Sequence, residues 1–219
     1  MRKVVVAASS MPAGRNMSSQ IEFVTRVRNY GADMYHLDVV DGVFAKHKTI
    51  DYQYIEQRRE KSPLLFDVHL MVDKPQKTLK KYLNAEVDIV TVQYESFQES
   101  EELIKTLKQI KKAGKMVGLC IDLPTKIEVI DQFIKYLDVV LIMSVKAGKG
   151  GQKFDEKALK KIKYVRSLSQ SILIEVDGGI DNKTGAQCVR AGADILVAGT
   201  YIYNNDSYDA IKALKGRNG

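Results

Sequence analysis

Short apolar runs rich in β-branched residues alternate with longer stretches in which apolar and charged positions are interleaved, and this rhythm continues down the whole chain. The apolar runs predict strands at residues 3–8, 34–40, 64–70, 87–92, 116–121, 137–143, 171–176 and 194–198. The interleaved stretches predict helices near 18–29, 51–60, 75–83, 99–113, 126–135, 155–168, 182–190 and 206–215. Eight strands, each followed by a helix, match the count of a single (β/α)8 TIM barrel, an α/β fold whose chemistry sits at the C-terminal ends of its strands. The punctuation agrees: Pro75 suits a helix first turn, Ser96 or Ser100 is positioned to cap the fourth helix, and Gly31, Gly114 and Gly192 follow helices just before strands. Gly31-Ala32-Asp33 and Gly192-Ala193-Asp194 repeat one helix-to-strand connection, with Ala85-Glu86-Val87-Asp88 as a variant. No linker or low-complexity tract breaks the pattern, so residues 1–219 are expected to form one domain.

Composition narrows the class without changing it. Hydrophobic residues make up 45% of the chain and charged residues 28%, ordinary for a globular protein. Runs such as Val139-Val140-Leu141-Ile142-Met143 are too short to cross a bilayer. The N-terminus enters the first strand directly and lacks the pattern of a secretory leader, so a cytoplasmic protein with no membrane partner is expected. The net charge of +7 is spread over predicted helix faces, as in Lys105, Lys108, Lys111 and Lys112. No basic stretch with interleaved aromatics accompanies it, so nucleic acid is not an expected partner. Cys120 and Cys188 are expected to be buried free thiols.

Polar residues interrupt the strand ends where a barrel interior should be apolar. His36 and Asp38 occupy positions i and i+2 on the second strand and therefore share a face. Asp67 and His69 do the same on the third, Asp177 ends the seventh, and Ser9 or Ser10 follows the first. Buried without partners, such groups cost a few kcal/mol each. Two of the chain's three histidines and several aspartates at one barrel mouth form an N/O donor set suited to Zn²⁺, Mn²⁺ or Fe²⁺. Glycine clusters at Gly148-Lys149-Gly150-Gly151, Gly178-Gly179 and Gly199-Thr200 fall on adjacent loops of the same face, where backbone N–H groups can hold a phosphate. A phosphorylated small molecule is the substrate class they predict.

These elements together resemble the ribulose-phosphate 3-epimerase family over nearly the full length. The matching stretches are His36-Leu37-Asp38-Val39-Val40-Asp41-Gly42, Asp67-Val68-His69-Leu70-Met71-Val72, Met143-Ser144-Val145, Gly148 to Phe154, Glu175 to Ile180, and Val197-Ala198-Gly199-Thr200. The resemblance implies a ribulose-phosphate-binding barrel and one divalent ion (Zn²⁺, Fe²⁺, Mn²⁺ or Co²⁺) held by His36, Asp38, His69 and Asp177. It also implies that Asp38 and Asp177 are the catalytic acid/base pair. Inversion at C3 requires a proton to leave one face of the sugar and another to arrive on the opposite face, which two carboxylates can accomplish. For substrate contacts the resemblance implies Ser9, Met71, Met143 and the loop residues Gly148, Gly150, Gly151, Gly178, Gly179, Gly199 and Thr200. A homo-oligomer, dimer or hexamer, is expected by analogy.

The departures from the family concern the lining. The family's methionine after His-x-Asp-Val is Val40 here, and the usual strand-four histidine is Gln93, with Glu95 retained two positions on. The loop after strand six reads Lys146-Ala147-Gly148-Lys149 in place of Asn-Pro-Gly-Phe. The alternatives are therefore another ketose-phosphate 3-epimerase, for example on D-allulose 6-phosphate, or a sugar-phosphate-binding barrel without catalysis.

Overall fold

The computed structural model describes residues 3–49 and 55–216. Its strands are β1 (Val5–Ser9), β2 (Met34–Val40), β3 (Leu65–Met71), β4 (Ile89–Gln93), β5 (Met116–Ile121), β6 (Val139–Met143), β7 (Leu173–Asp177) and β8 (Ile195–Ala198). They pair in parallel in sequence order, and β8 returns to β1 to close the barrel. Around it run α1 (Met17–Asn29), α2 (Ile55–Arg59), α3 (Pro75–Asn84), α4 (Ser100–Lys112), α5 (Lys157–Leu168), α6 (Asn182–Ala191), α7 (Thr200–Asn204) and α8 (Ser207–Leu214). This is a single (β/α)8 barrel, as the alternating pattern predicts.

Side chains alternate across each strand, and the two faces have different fates. Outward residues such as Val6, Tyr35, Phe66 and Val68 meet the inner faces of the helices, including Phe23, Val24, Leu107, Ile162 and Val165, in one continuous core. Inward residues form layers. Ala7, Met34, Ile89, Val139 and Ile195 plug the N-terminal end with apolar contacts, and Val197 carries this cluster up to the cavity at the other end. Above them His36, Asp67, Thr91 and Glu175 are fully buried polar groups. Near the mouth, Val40, Met71, Cys120, Leu141 and Met143 form a small apolar wall. Gly118 on β5 is dictated by its neighbour, because a Cβ there would lie 2.0 Å from Thr91 Oγ1.

A fourfold device locks the bottom of the barrel. Asp33, Asp88, Asp138 and Asp194 each immediately precede an even-numbered strand. Each carboxylate accepts a backbone N–H from the preceding odd strand: Val6 at 2.9 Å, Phe66 at 2.7 Å, Val117 at 2.9 Å and Ile174 at 2.9 Å. Each also meets a cation from the helical region that follows the previous even strand, respectively Lys215, Arg59, Lys111 and Arg166. The repeated Gly-Ala-Asp connections belong to this device, so their role is structural.

Some expectations are corrected. The helix expected at 126–135 is two 3₁₀ turns, Ile127–Ile130 and Ile134–Tyr136. Its buried residues Ile127, Ile130 and Phe133 recur every third position, which suits three residues per turn, and its β-branched members disfavour an α-helix. Neither Ser96 nor Ser100 caps α4. Glu99 occupies the N-cap position, Ser100 begins the helix, and the Ser96 hydroxyl donates to Val72 O. Pro75 does open α3, and Gly31, Gly114 and Gly192 adopt positive φ after their helices. Of the helix expected near 51–60, residues 51–54 lie outside the described residues, and α7 has no counterpart in the predicted pattern. Both cysteines are buried free thiols. Among the described residues no helix is long and apolar enough to cross a membrane.

Candidate active site

The β2–β3 register sets His36 beside Asp67 and Asp38 beside His69, so two adjacent strands deliver two imidazoles and two carboxylates to one patch of the barrel interior. Their outer atoms are engaged. His36 Nδ1 lies 2.5 Å from Asp67 Oδ2, His69 Nε2 lies 2.7 Å from Gln93 Oε1, and Asp38 Oδ2 accepts from Ser9 Oγ at 3.0 Å. Their inner atoms are not. His36 Nε2, Asp38 Oδ1 and His69 Nδ1 are buried without hydrogen-bond partners. Nε2 of His36 is 3.4 Å and Nδ1 of His69 3.6 Å from that same Asp38 oxygen, and the three residues form a group whose ligand atoms all lie within 4.8 Å of one another. Three buried donors aimed at one point, each fixed from behind, fit a divalent cation.

Asp177 lines the cavity above this cluster, at the end of β7, but joins neither group of ligand atoms that lie within 4.8 Å. The two aspartates are electrostatically unlike. Burial works against ionisation of Asp38, yet His36 and His69 hold its carboxyl far below the usual range. Burial raises Asp177 to about 6, helped by the charge of Asp38. Burial opposes the charged form of His36 as well, but the Asp38 and Asp67 carboxylates outweigh it and hold the imidazole well above its ordinary value.

Glu175, one turn of the pleat below Asp177, is a polar member of the interior to which the sequence pattern assigns no role. Fully buried, it lies 3.5 Å from His36 Nδ1, and with His36 and Asp67 it forms a second group of ligand-type atoms. Burial, with the charge of Asp67, raises its carboxyl to about 8. The signal that could find it is the spacing: Glu175 and Asp177 stand at i and i+2, as His36 and Asp38 do.

The cavity over the cluster has a volume of about 1030 Å³. Ser9, Asp38, Met71, Met143 and Asp177 line it on the barrel side, and Gly148, Gly150, Gly151, Gly178, Gly179, Gly199 and Thr200 on the loop side. All the expected substrate-contact residues thus border one space. Ser9 faces it, whereas Ser10 lines a separate smaller cavity and donates its backbone N–H to His36 O. Gly179 has φ of 58°, and a Cβ on it would lie 2.5 Å from Phe154 N, so the loops after β6 and β7 approach too closely for a side chain. Ser144 pins the turn by donating its N–H at 2.8 Å and its hydroxyl at 2.9 Å to Asp177 O. Val40 joins Met71 and Met143 in the apolar wall at the mouth.

Comparison with known proteins agrees in fold and family. Residues 5–203 match the sequence model of the ribulose-phosphate 3 epimerase family. A ribulose-phosphate 3-epimerase of Bacillus subtilis is 37% identical over 196 residues, covering 87% of this chain and 89% of its own. One of Chlamydia muridarum is 35% identical over 210 residues, covering 93% and 90%. A solved 3-hexulose-6-phosphate synthase superposes with a TM-score of 0.68 at 18% identity over 99% of this chain and 100% of its own, which speaks to the barrel alone.

Proposed function

Because this chain belongs to the ribulose-phosphate 3-epimerase family, we propose that it interconverts D-ribulose 5-phosphate and D-xylulose 5-phosphate by inverting the configuration at C3. The observation that carries this reading is the convergence of three unpartnered buried atoms, with His36 Nε2 and His69 Nδ1 facing Oδ1 of Asp38, the residue that together with Asp177 lines the cavity. In this reading those three residues, with Asp177, hold one divalent cation. When bound it supplies Lewis-acid stabilisation of negative charge on the substrate oxygens.

The protein's own groups do the rest. One carboxylate takes the C3 proton from one face and the other carboxyl delivers a proton to the opposite face, with roles exchanged in reverse. Asp38 lies against His36 and His69 while Asp177 lines the cavity at the end of another strand, so the two carboxyls stand in different surroundings, as this division requires. Ser9 orients Asp38 through its hydrogen bond to Oδ2. Met71, Met143 and Val40 give the planar intermediate an apolar neighbour that excludes water. The glycine loops at 148–151, 178–179 and 199–200 offer backbone N–H groups to the phosphate.

Purified protein of defined metal content, assayed on a panel of ketose phosphates, tests the reading. The expected result is one divalent ion per chain and highest kcat/KM on D-ribulose 5-phosphate. A higher value on a hexulose phosphate such as D-allulose 6-phosphate would reassign the substrate, the competing reading raised by Val40 in the apolar wall with Met71 and Met143. Binding of sugar phosphate with no turnover of any would instead mean a binding barrel.

A further inference from the structure

The second histidine of the cluster is held by residues outside the ligand set. Gln93, the last residue of β4, is fully buried. Its Oε1 lies 2.7 Å from His69 Nε2, and its Nε2 lies 2.6 Å from Glu95 Oε2. The other Glu95 oxygen accepts from Asp122 N at 2.9 Å and from the Thr125 hydroxyl at 2.5 Å. Both carboxylate oxygens therefore act as acceptors, and the Gln93 amide has to turn its NH₂ towards Glu95. Its carbonyl oxygen then faces His69 and can only accept. In the neutral imidazole the single proton accordingly sits on Nε2, which leaves Nδ1 a bare lone pair. Nδ1 is the atom found buried without a partner, 3.6 Å from Asp38 Oδ1.

We propose that Gln93 and Glu95 form a positioning relay that fixes the His69 tautomer and so keeps Nδ1 available to a divalent cation. The relay is tied to the outer layer of the fold. Lys161 on α5 donates to Asp122 O at 2.7 Å and to Thr125 O at 2.6 Å, holding the turn that supplies the two donors to Glu95. Gln93 and Glu95 stand on the Nε2 side of His69 while its Nδ1 faces Asp38, so their part is to orient a ligand. The inference rests on the cation site proposed above, but the order of donors and acceptors can be read without any cation.

The experiment uses the metal-free full chain, with its three histidines resolved by side-chain ¹⁵N NMR, together with Zn²⁺ affinity from chelator competition. The wild type is expected to hold His69 as the Nε2–H tautomer. Gln93→Leu removes the acceptor and Glu95→Gln frees the amide to flip. Each should give a mixed or Nδ1–H tautomer and weaken Zn²⁺ binding about 10- to 100-fold. The double variant Gln93→Glu with Glu95→Gln exchanges the two groups of the middle link: the carboxylate now on β4 accepts from His69, while the amide now beyond it donates to that carboxylate. The double variant should recover the Nε2–H form and most of the affinity, which a merely structural role for either residue would not produce. An Nδ1–H tautomer in the wild type, or single variants unchanged in both readouts, would overturn the relay. If Gln93→Leu fails to fold, Glu95→Gln and the double variant decide the matter. A wild type that shows the expected tautomers throughout but binds no cation would sink the proposed metal site and leave the relay standing.

Discussion

At the residue scale, the inward-facing polar groups were the legible part. His36, Asp38, Asp67 and His69 stand out because imidazoles and carboxylates break an apolar alternation, and Asp177 because it ends a strand before two glycines. Hydrogen-bond partners were not legible. That Ser9 rather than Ser10 faces Asp38, and that Gln93 faces His69, depends on strand stagger, which the order of residues does not encode locally. The cysteines give a prediction at this scale. Burial raises Cys188 to about 12 and Cys120 well above its ordinary value, the latter helped by nearby carboxylates. Because the thiolate is the reactive form, neither should react with a disulfide reagent at about pH 8 in the folded protein. Both should react once denaturant is added, and rapid reaction under native conditions would contradict their burial.

At the scale of elements, the period of the hydrophobic pattern decides what could be read. All eight strands were legible because their runs are short, apolar and β-branched. The segment 127–136 was not, because an apolar spacing of three reads as helical while its β-branched residues and tight turns favour 3₁₀ geometry. The space between β4 and β5 is equally invisible in sequence. Gly118→Ala would drive a methyl into Thr91, with its Cα only 2.9 Å away, and backbone cannot give as a flexible side chain can. Overpacking of this kind costs about 1–3 kcal/mol. Chemical denaturation should register that loss, whereas an unchanged midpoint would mean that the two strands can separate freely.

For the whole molecule, the barrel was legible from the count of βα units, but its fourfold clamp was only half visible. Asp33 and Asp194 carry the Gly-Ala-Asp signature, while Asp138 follows Tyr136-Leu137 and shares only the aspartate. What unites the four is a shared hydrogen bond to the neighbouring strand. The relative weight of that bond and the ion pair can be measured at Asp138. Its partner Lys111 is 64% exposed, so the ion pair contributes about 0–1 kcal/mol. Val117, by contrast, is fully buried, and loss of its acceptor leaves a backbone N–H unsatisfied at about 1–3 kcal/mol. Asp138→Ala should therefore destabilise more than Lys111→Ala, with Asp138→Asn between wild type and Asp138→Ala. The reverse order in urea unfolding would make the ion pair the stronger element.

The same closed architecture brings β2 and β7 to opposite parts of one rim, and the proposed reaction depends on proton transfer by a carboxylate from each. Transfer of the C3 proton can be followed directly. Metal-loaded protein is incubated with D-ribulose 5-phosphate in deuterated water, and deuterium at C3 is counted by NMR alongside the epimer formed. The wild type should incorporate deuterium as D-xylulose 5-phosphate appears, and Asp177→Asn, compared at equal metal occupancy, should slow both by roughly 10²–10⁴-fold. No incorporation by the wild type, or undiminished incorporation by Asp177→Asn, would contradict epimerisation by the two aspartates.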